Sequence, residues 1–88
     1  MKMKTKMKNE LVKVLKKEYQ FNPGLDKVDD CILVDVSKNN VGVYAAIDDT
    51  KVEILQTPDY IKDFRLMTTY SINTDASLIA KMMYKLLG

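Results

Sequence analysis

Cys31-Ile32-Leu33-Val34-Asp35-Val36, Val41-Gly42-Val43-Tyr44-Ala45-Ala46-Ile47 and Lys51-Val52-Glu53-Ile54-Leu55 are three short runs rich in β-branched residues. Turn residues separate them. Ser37-Lys38-Asn39-Asn40 places two asparagines, which tolerate positive φ, where a tight hairpin needs them, and Asp48-Asp49-Thr50 serves the second bend. The pattern predicts an antiparallel three-stranded meander. Alternation puts Ile32, Val34 and Val36, then Val41, Val43, Ala45 and Ile47, then Val52 and Ile54 on the expected core side. The other side is mixed: Cys31, Leu33 and Asp35; Gly42, Tyr44 and Ala46; Lys51, Glu53 and Leu55.

Upstream, lysine alternates with methionine or threonine through Lys8, and residues 1–5 read as a frayed lead-in. From about Met7 the period becomes helical. Met7, Leu11, Val14 or Leu15, and Tyr19 share one side, with Lys6, Lys13, Lys16 and Lys17 around the rest. The helix should stop near Gln20, because Asn22-Pro23-Gly24 suits a type II turn. Residues 25–30 then read as a linker with Leu25 and Val28 packing down.

Downstream, Thr57-Pro58-Asp59 combines a capping hydroxyl, a proline at the first helical position and an acid in the first turn. It predicts two helical turns through Phe64, burying Ile61 and Phe64. Leu66, Thr68, Tyr70 and Ile72 alternate with polar or flexible residues and suggest a fourth strand. A last helix, capped by Asn73 or Thr74 with Asp75 in its first turn, carries Leu78, Ile79, Met82, Met83, Leu86 and Leu87 on a wide apolar face. The expected fold is α+β in two layers: a three- to four-stranded antiparallel sheet with the N- and C-terminal helices on one face, in the order α-β-β-β-(α)-β-α.

A chain of 88 residues suits a single domain with one modest core. With 47% hydrophobic and 30% charged residues, it is too apolar for a disordered tail. No run approaches the ~20 apolar residues of a membrane span, and the start lacks the apolar core of a secretory signal, so a cytoplasmic protein without membrane contact is expected. One cysteine permits no internal disulfide, and without histidine the usual zinc sites and His-based triads are excluded. Three glycines, at 24, 42 and 88, build no phosphate-cradling loop. No cofactor or metal is expected, and a non-enzymatic role leads.

Charge is unevenly spread. Residues 1–20 hold seven lysines against Glu10 and Glu18, whereas residues 21–88 hold seven basic and ten acidic residues. Lys6, Lys13, Lys16 and Lys17 are therefore the candidates for phosphate contact in a nucleic-acid-binding alternative. The α-β-β-β-α order resembles double-stranded-RNA-binding domains, which use the start of the last helix for phosphate contact. Here that start is Asn73-Thr74-Asp75-Ala76-Ser77, polar but not basic.

Asp35, Asp48, Asp49 and Asp75 form the acidic set with chemical potential. Three strands followed by a helix, with an acid centred on the first strand, resemble the opening half of RNase H-like nucleases over about residues 31–87. That resemblance implies carboxylates converging on Mg²⁺ for phosphoryl transfer. It departs from the pattern in placing Asp75 at the helix start and no carboxylate in residues 66–72. The nuclease ranks third.

The first reading is a small protein acting through a protein–protein interface. Its candidate contacts are Leu33, Tyr44, Leu55, Tyr60, Met82 and Met83. Small size and lysine- and asparagine-heavy usage resemble phage or mobile-element inhibitors of host defence, such as the anti-CRISPR proteins. For a nucleic-acid-handling partner, that likeness implies acidic mimicry of phosphates by Asp26, Asp29, Asp30, Asp48 and Asp49. Monomer and homodimer are equally expected, the latter pairing Met82, Met83 and Leu86 of the last helix across a twofold axis.

Overall fold

The computed structural model describes residues 2–58 and 63–88. Its elements are α1 (Met3–Tyr19), β1 (Gly24–Val28), β2 (Cys31–Lys38), β3 (Val41–Ile47), β4 (Lys51–Thr57), β5 (Arg65–Ser71) and α2 (Ala76–Leu86). The strands form one antiparallel sheet in the order β1-β2-β3-β4-β5. The class is the α+β expected, with five strands instead of three or four.

The additional strand is β1, in a stretch whose sequence reads as a linker. Asp29, at φ 54°, turns the chain so that Leu25 pairs with Val34 and Lys27 with Ile32. Asn39 and Asn40, at φ 52° and 66°, make the tight β2–β3 turn foreseen from their side chains. The expected type II turn at Pro23-Gly24 is absent: Gly24 does not have positive φ, and the left-handed residue is Gln20, the C-cap of α1. There the Gln20 and Phe21 N–H groups both return to the Leu15 carbonyl, satisfying the helix end.

Helix α1 begins at Met3, inside the segment expected to fray. The Lys4 ammonium donates to the Asp30 carbonyl at 2.8 Å, tying the first turn to the β1–β2 turn. Met7, Leu11 and Leu15 of α1 and Ala76, Ile79, Ala80 and Met83 of α2 meet Val34, Val36, Val43, Ala45, Ile47, Val52 and Ile54 of the sheet in one core. Both helices thus cover the face predicted from alternation. Ile32 and Val41, also expected there, are only partly buried at its margin. Leu25 does not pack down, because α1 lies over β2 and β3 and leaves the inner side of β1 open. Beyond the core, Tyr19 of α1 stacks on Tyr84 of α2 with ring centroids 4.8 Å apart.

Three sequence expectations fail between β4 and α2. Thr57 is the last residue of β4 and is buried there. Most of the expected two-turn helix, Ile61 included, lies outside the described residues, and Phe64 is 54% exposed instead of buried. In β5 a register shift at Ile54/Leu55 pairs Thr68 with Ile54 but Leu66 with Leu55. Leu66 therefore leaves the face of Thr68 and Tyr70, against a simple alternation, because one extra residue in a strand reverses the side. Finally, α2 is capped by Asp75, not by Asn73 or Thr74: its carboxylate accepts from the Ser77 N–H at 2.9 Å.

Candidate functional site

The sheet has a helix-covered face and an outer face. Cross-strand pairing sets rows across the latter: Gly24, Asp35, Tyr44, Leu55 and Leu66 in one, and Asp26, Leu33, Ala46, Glu53 and Thr69 in the next. Leu33, Tyr44 and Leu55, predicted from sequence as contact residues, are thereby brought onto adjacent positions of one surface. All three are half-buried. Leu66, 56% exposed, extends the row, and Phe64 meets the Tyr44 ring edge-on with centroids 5.1 Å apart. Sequence reasoning missed Leu66 because the register shift alone turns it outward.

Two glycines shape this surface. A Cβ at Gly42 would lie 3.3 Å from the Tyr44 ring, so the absent side chain leaves room for that ring. A Cβ at Gly24 would lie 2.6 Å from Asp35 Oδ1; the bare strand leaves room for that carboxylate. Asp35 is raised from the ordinary carboxylate range by burial against the sheet, and the charge of Asp26 adds to this.

The outer face is acidic as well as apolar. Asp26, Asp35 and Glu53 stand on it, while Lys51 faces Asp48 at 3.7 Å. Asp29 and Asp30 occupy the β1–β2 turn and Asp48 and Asp49 the β3–β4 turn, both at the same end of the sheet, as Ile32 pairing with Ile47 requires. Four of the five mimicry candidates thus form a rim, and the fifth, Asp26, stands on the face itself. Asp48 is held by its own turn: the Thr50 N–H, the Lys51 N–H and the Thr50 hydroxyl donate to it at 2.7, 2.8 and 2.9 Å, lowering its pKa to about 2.

The remaining sequence candidates separate. Met83 is fully buried in the core and is unavailable to a partner; it follows the inward stripe of Ile79 and Ala80. Met82 is half-buried on the α2 flank. Tyr60 lies outside the described residues. Lys6, Lys13 and Lys17 line one cleft of about 680 Å³ between α1 and the start of α2, with Asn73, Thr74 and Ser77 opposite. Glu10, Glu18 and Asp75 line the same cleft, so three cations meet three carboxylates. Lys16 is exposed outside it.

The nuclease set is not assembled. Asp35 is on the outer face, Asp48 and Asp49 are in a turn, and Asp75 caps a helix in the opposite layer. Among the described residues no three acidic or sulfur side chains are grouped to hold a metal. The RNA-binding order also fails, since five strands replace three. No described helix is long and apolar enough to cross a membrane. No family model matches the sequence, and no curated protein or solved structure matches it.

Proposed function

We propose that the chain is a non-enzymatic protein-binding module that docks its partner on the outer face of the sheet. The observation carrying this reading is the alignment of Leu33, Tyr44, Leu55 and Leu66 on the face that neither described helix covers. Apolar surface of this kind gains by leaving water, roughly 25 cal/mol for each Å². The acidic set chooses the occupant: Asp26, Asp35 and Glu53 among the apolar residues, with Asp29, Asp30 and Asp49 at the rim, complement a protein surface that is apolar at its centre and basic around it. Inhibition of a nucleic-acid-handling enzyme in the cytoplasm is the form of this reading that the acidic rim favours. The lysine cleft is the weaker alternative, because Glu10, Glu18 and Asp75 cancel its charge and would repel phosphate.

The test is capture from a lysate after nuclease treatment, at low and high salt, with four proteins. These are the wild type, Leu33→Gln/Leu55→Gln, Asp26→Lys/Glu53→Lys, and Lys6→Gln/Lys13→Gln/Lys17→Gln. Circular dichroism first establishes that each is folded. The reading requires a protein that the wild type and the lysine variant retain and both outer-face variants release. Capture indifferent to the outer-face changes, or nucleic acid recovered only through the lysines, would overturn it.

A further inference from the structure

Among the described residues the sheet ends on two open strands, and they differ in how they meet another strand. An unpaired edge is a template for strand addition, and charges along it are the usual protection. β1 has that protection: Asp26 and Lys27 lie within its five residues and Asp29 and Asp30 follow. β5, Arg65-Leu66-Met67-Thr68-Thr69-Tyr70-Ser71, carries one charge, at its end, and no proline. Its register shift lies toward the Leu66 end, leaving Thr68 to Ser71 regular.

We propose that β5 is a self-association edge, at which two copies of the chain pair antiparallel about a twofold axis to make a continuous ten-stranded sheet. The Ile72 N–H donates to the Thr50 carbonyl at 3.0 Å. Antiparallel alternation then turns the backbone groups of Tyr70 and Thr68 toward β4 and those of Ser71 and Thr69 to the open side. Centred on Thr69, twofold pairing sets Thr69 against Thr69, Tyr70 against Thr68 and Ser71 against Met67. Within the paired strands no charge meets a like charge, and facing threonines are favourable partners. The same operation about the middle of β1 sets Asp26 against Asp26, which is repulsive. A second copy is thus the occupant that β5 accepts and β1 rejects.

The helix layer agrees with this choice. Tyr70 of β5 and Leu78, Lys81, Met82 and Lys85 of α2 line a shallow hollow beside the open edge, and Leu78 is 52% exposed. Twofold pairing through β5 brings the two hollows to the same junction, where Leu78 and Met82 of each copy gain cover. It also joins the two outer faces into one surface, giving any partner docked there a paired site.

Sedimentation equilibrium over a range of protein concentrations tests the proposal. The wild-type mass should rise from 10.1 kDa toward twice that value. Thr69→Pro removes an N–H on the open side without touching the β4 ladder, and Thr69→Lys sets a cation against its copy; both should stay at the monomer mass with unchanged far-ultraviolet spectra. Thr69→Lys decides alone should the proline variant fail to fold. Asp26→Lys, on the other edge, should associate like the wild type. A wild type that remains at 10.1 kDa throughout, or a folded Thr69→Lys that associates as the wild type does, would refute the edge. Mass gain only on adding another protein, and abolished by Thr69→Lys, would assign β5 to a foreign strand and refute self-pairing.

Discussion

Met82 and Met83 are neighbours in sequence with opposite surroundings, and truncating each to alanine separates core from surface. Met83 is 0% exposed and packs in the core shared by both helices and the sheet. Its truncation deletes three heavy atoms, a transfer loss of about 2 kcal/mol at ~0.8 kcal/mol for each methylene-sized group. The cavity left behind brings the cost to about 3 kcal/mol, within the ~2–5 kcal/mol usual for buried methionine. An 88-residue domain has only about 4–13 kcal/mol to lose. At about 4–8 °C for each kcal/mol, the midpoint of thermal unfolding should fall by about 12–24 °C. Met82→Ala, on the half-buried flank, should cost under about 1 kcal/mol, since helix propensity favours alanine. Urea titration followed by circular dichroism reads both, at dilution low enough to keep the protein monomeric. An unchanged m-value establishes that the native fold is the one being unfolded. Equal costs for the two variants, or a loss under about 1 kcal/mol for Met83→Ala, would show that α2 does not face the sheet as described.

Two further substitutions probe the acidic groups. Asp48 is lowered from 3.8 to about 2 by the N–H groups of its turn, so its charge stabilises the fold fully above 3.8, and that contribution is lost as pH falls toward 2. Asp48→Asn should therefore be less stable than the wild type at neutral pH, with a gap that closes on acidification; a gap independent of pH would contradict the turn geometry. Gly24→Ala should destabilise the wild type, because the new Cβ meets Asp35 Oδ1, yet stabilise an Asp35→Ala background by the ~0.4–1 kcal/mol typical of glycine replacement at an unstrained site. Additive effects in the double-mutant cycle would mean that the two positions do not touch.

Much of this architecture is legible in local sequence. The β-branched runs, the Asn39-Asn40 turn and the core face from Val34 to Ile54 follow from alternation, a local property of extended chain. Leu33, Tyr44 and Leu55 share a surface for the same reason. Leu25 to Val28 is too short and too charged to read as a strand, and it becomes one because β2 offers a partner and Asp29 accepts a left-handed turn. Thr57 ends β4 by pairing with Gly42, and most of the helix expected after it lies outside the described residues.

The sequence by itself determined the two terminal helices, the three central strands and β5, the side of the sheet that is buried and the separation of a lysine-rich helix from an acidic body. Each depends on residue type and spacing within a few positions. Only tertiary structure decided that Leu66 faces outward, that Met83 is buried while Met82 is not, and that Glu10, Glu18 and Asp75 offset the lysine cleft. It also left β5 as the sparsely charged edge. Register, helix rotation and the meeting of distant charges are set by which surfaces pack together, and that choice is made by the whole chain at once.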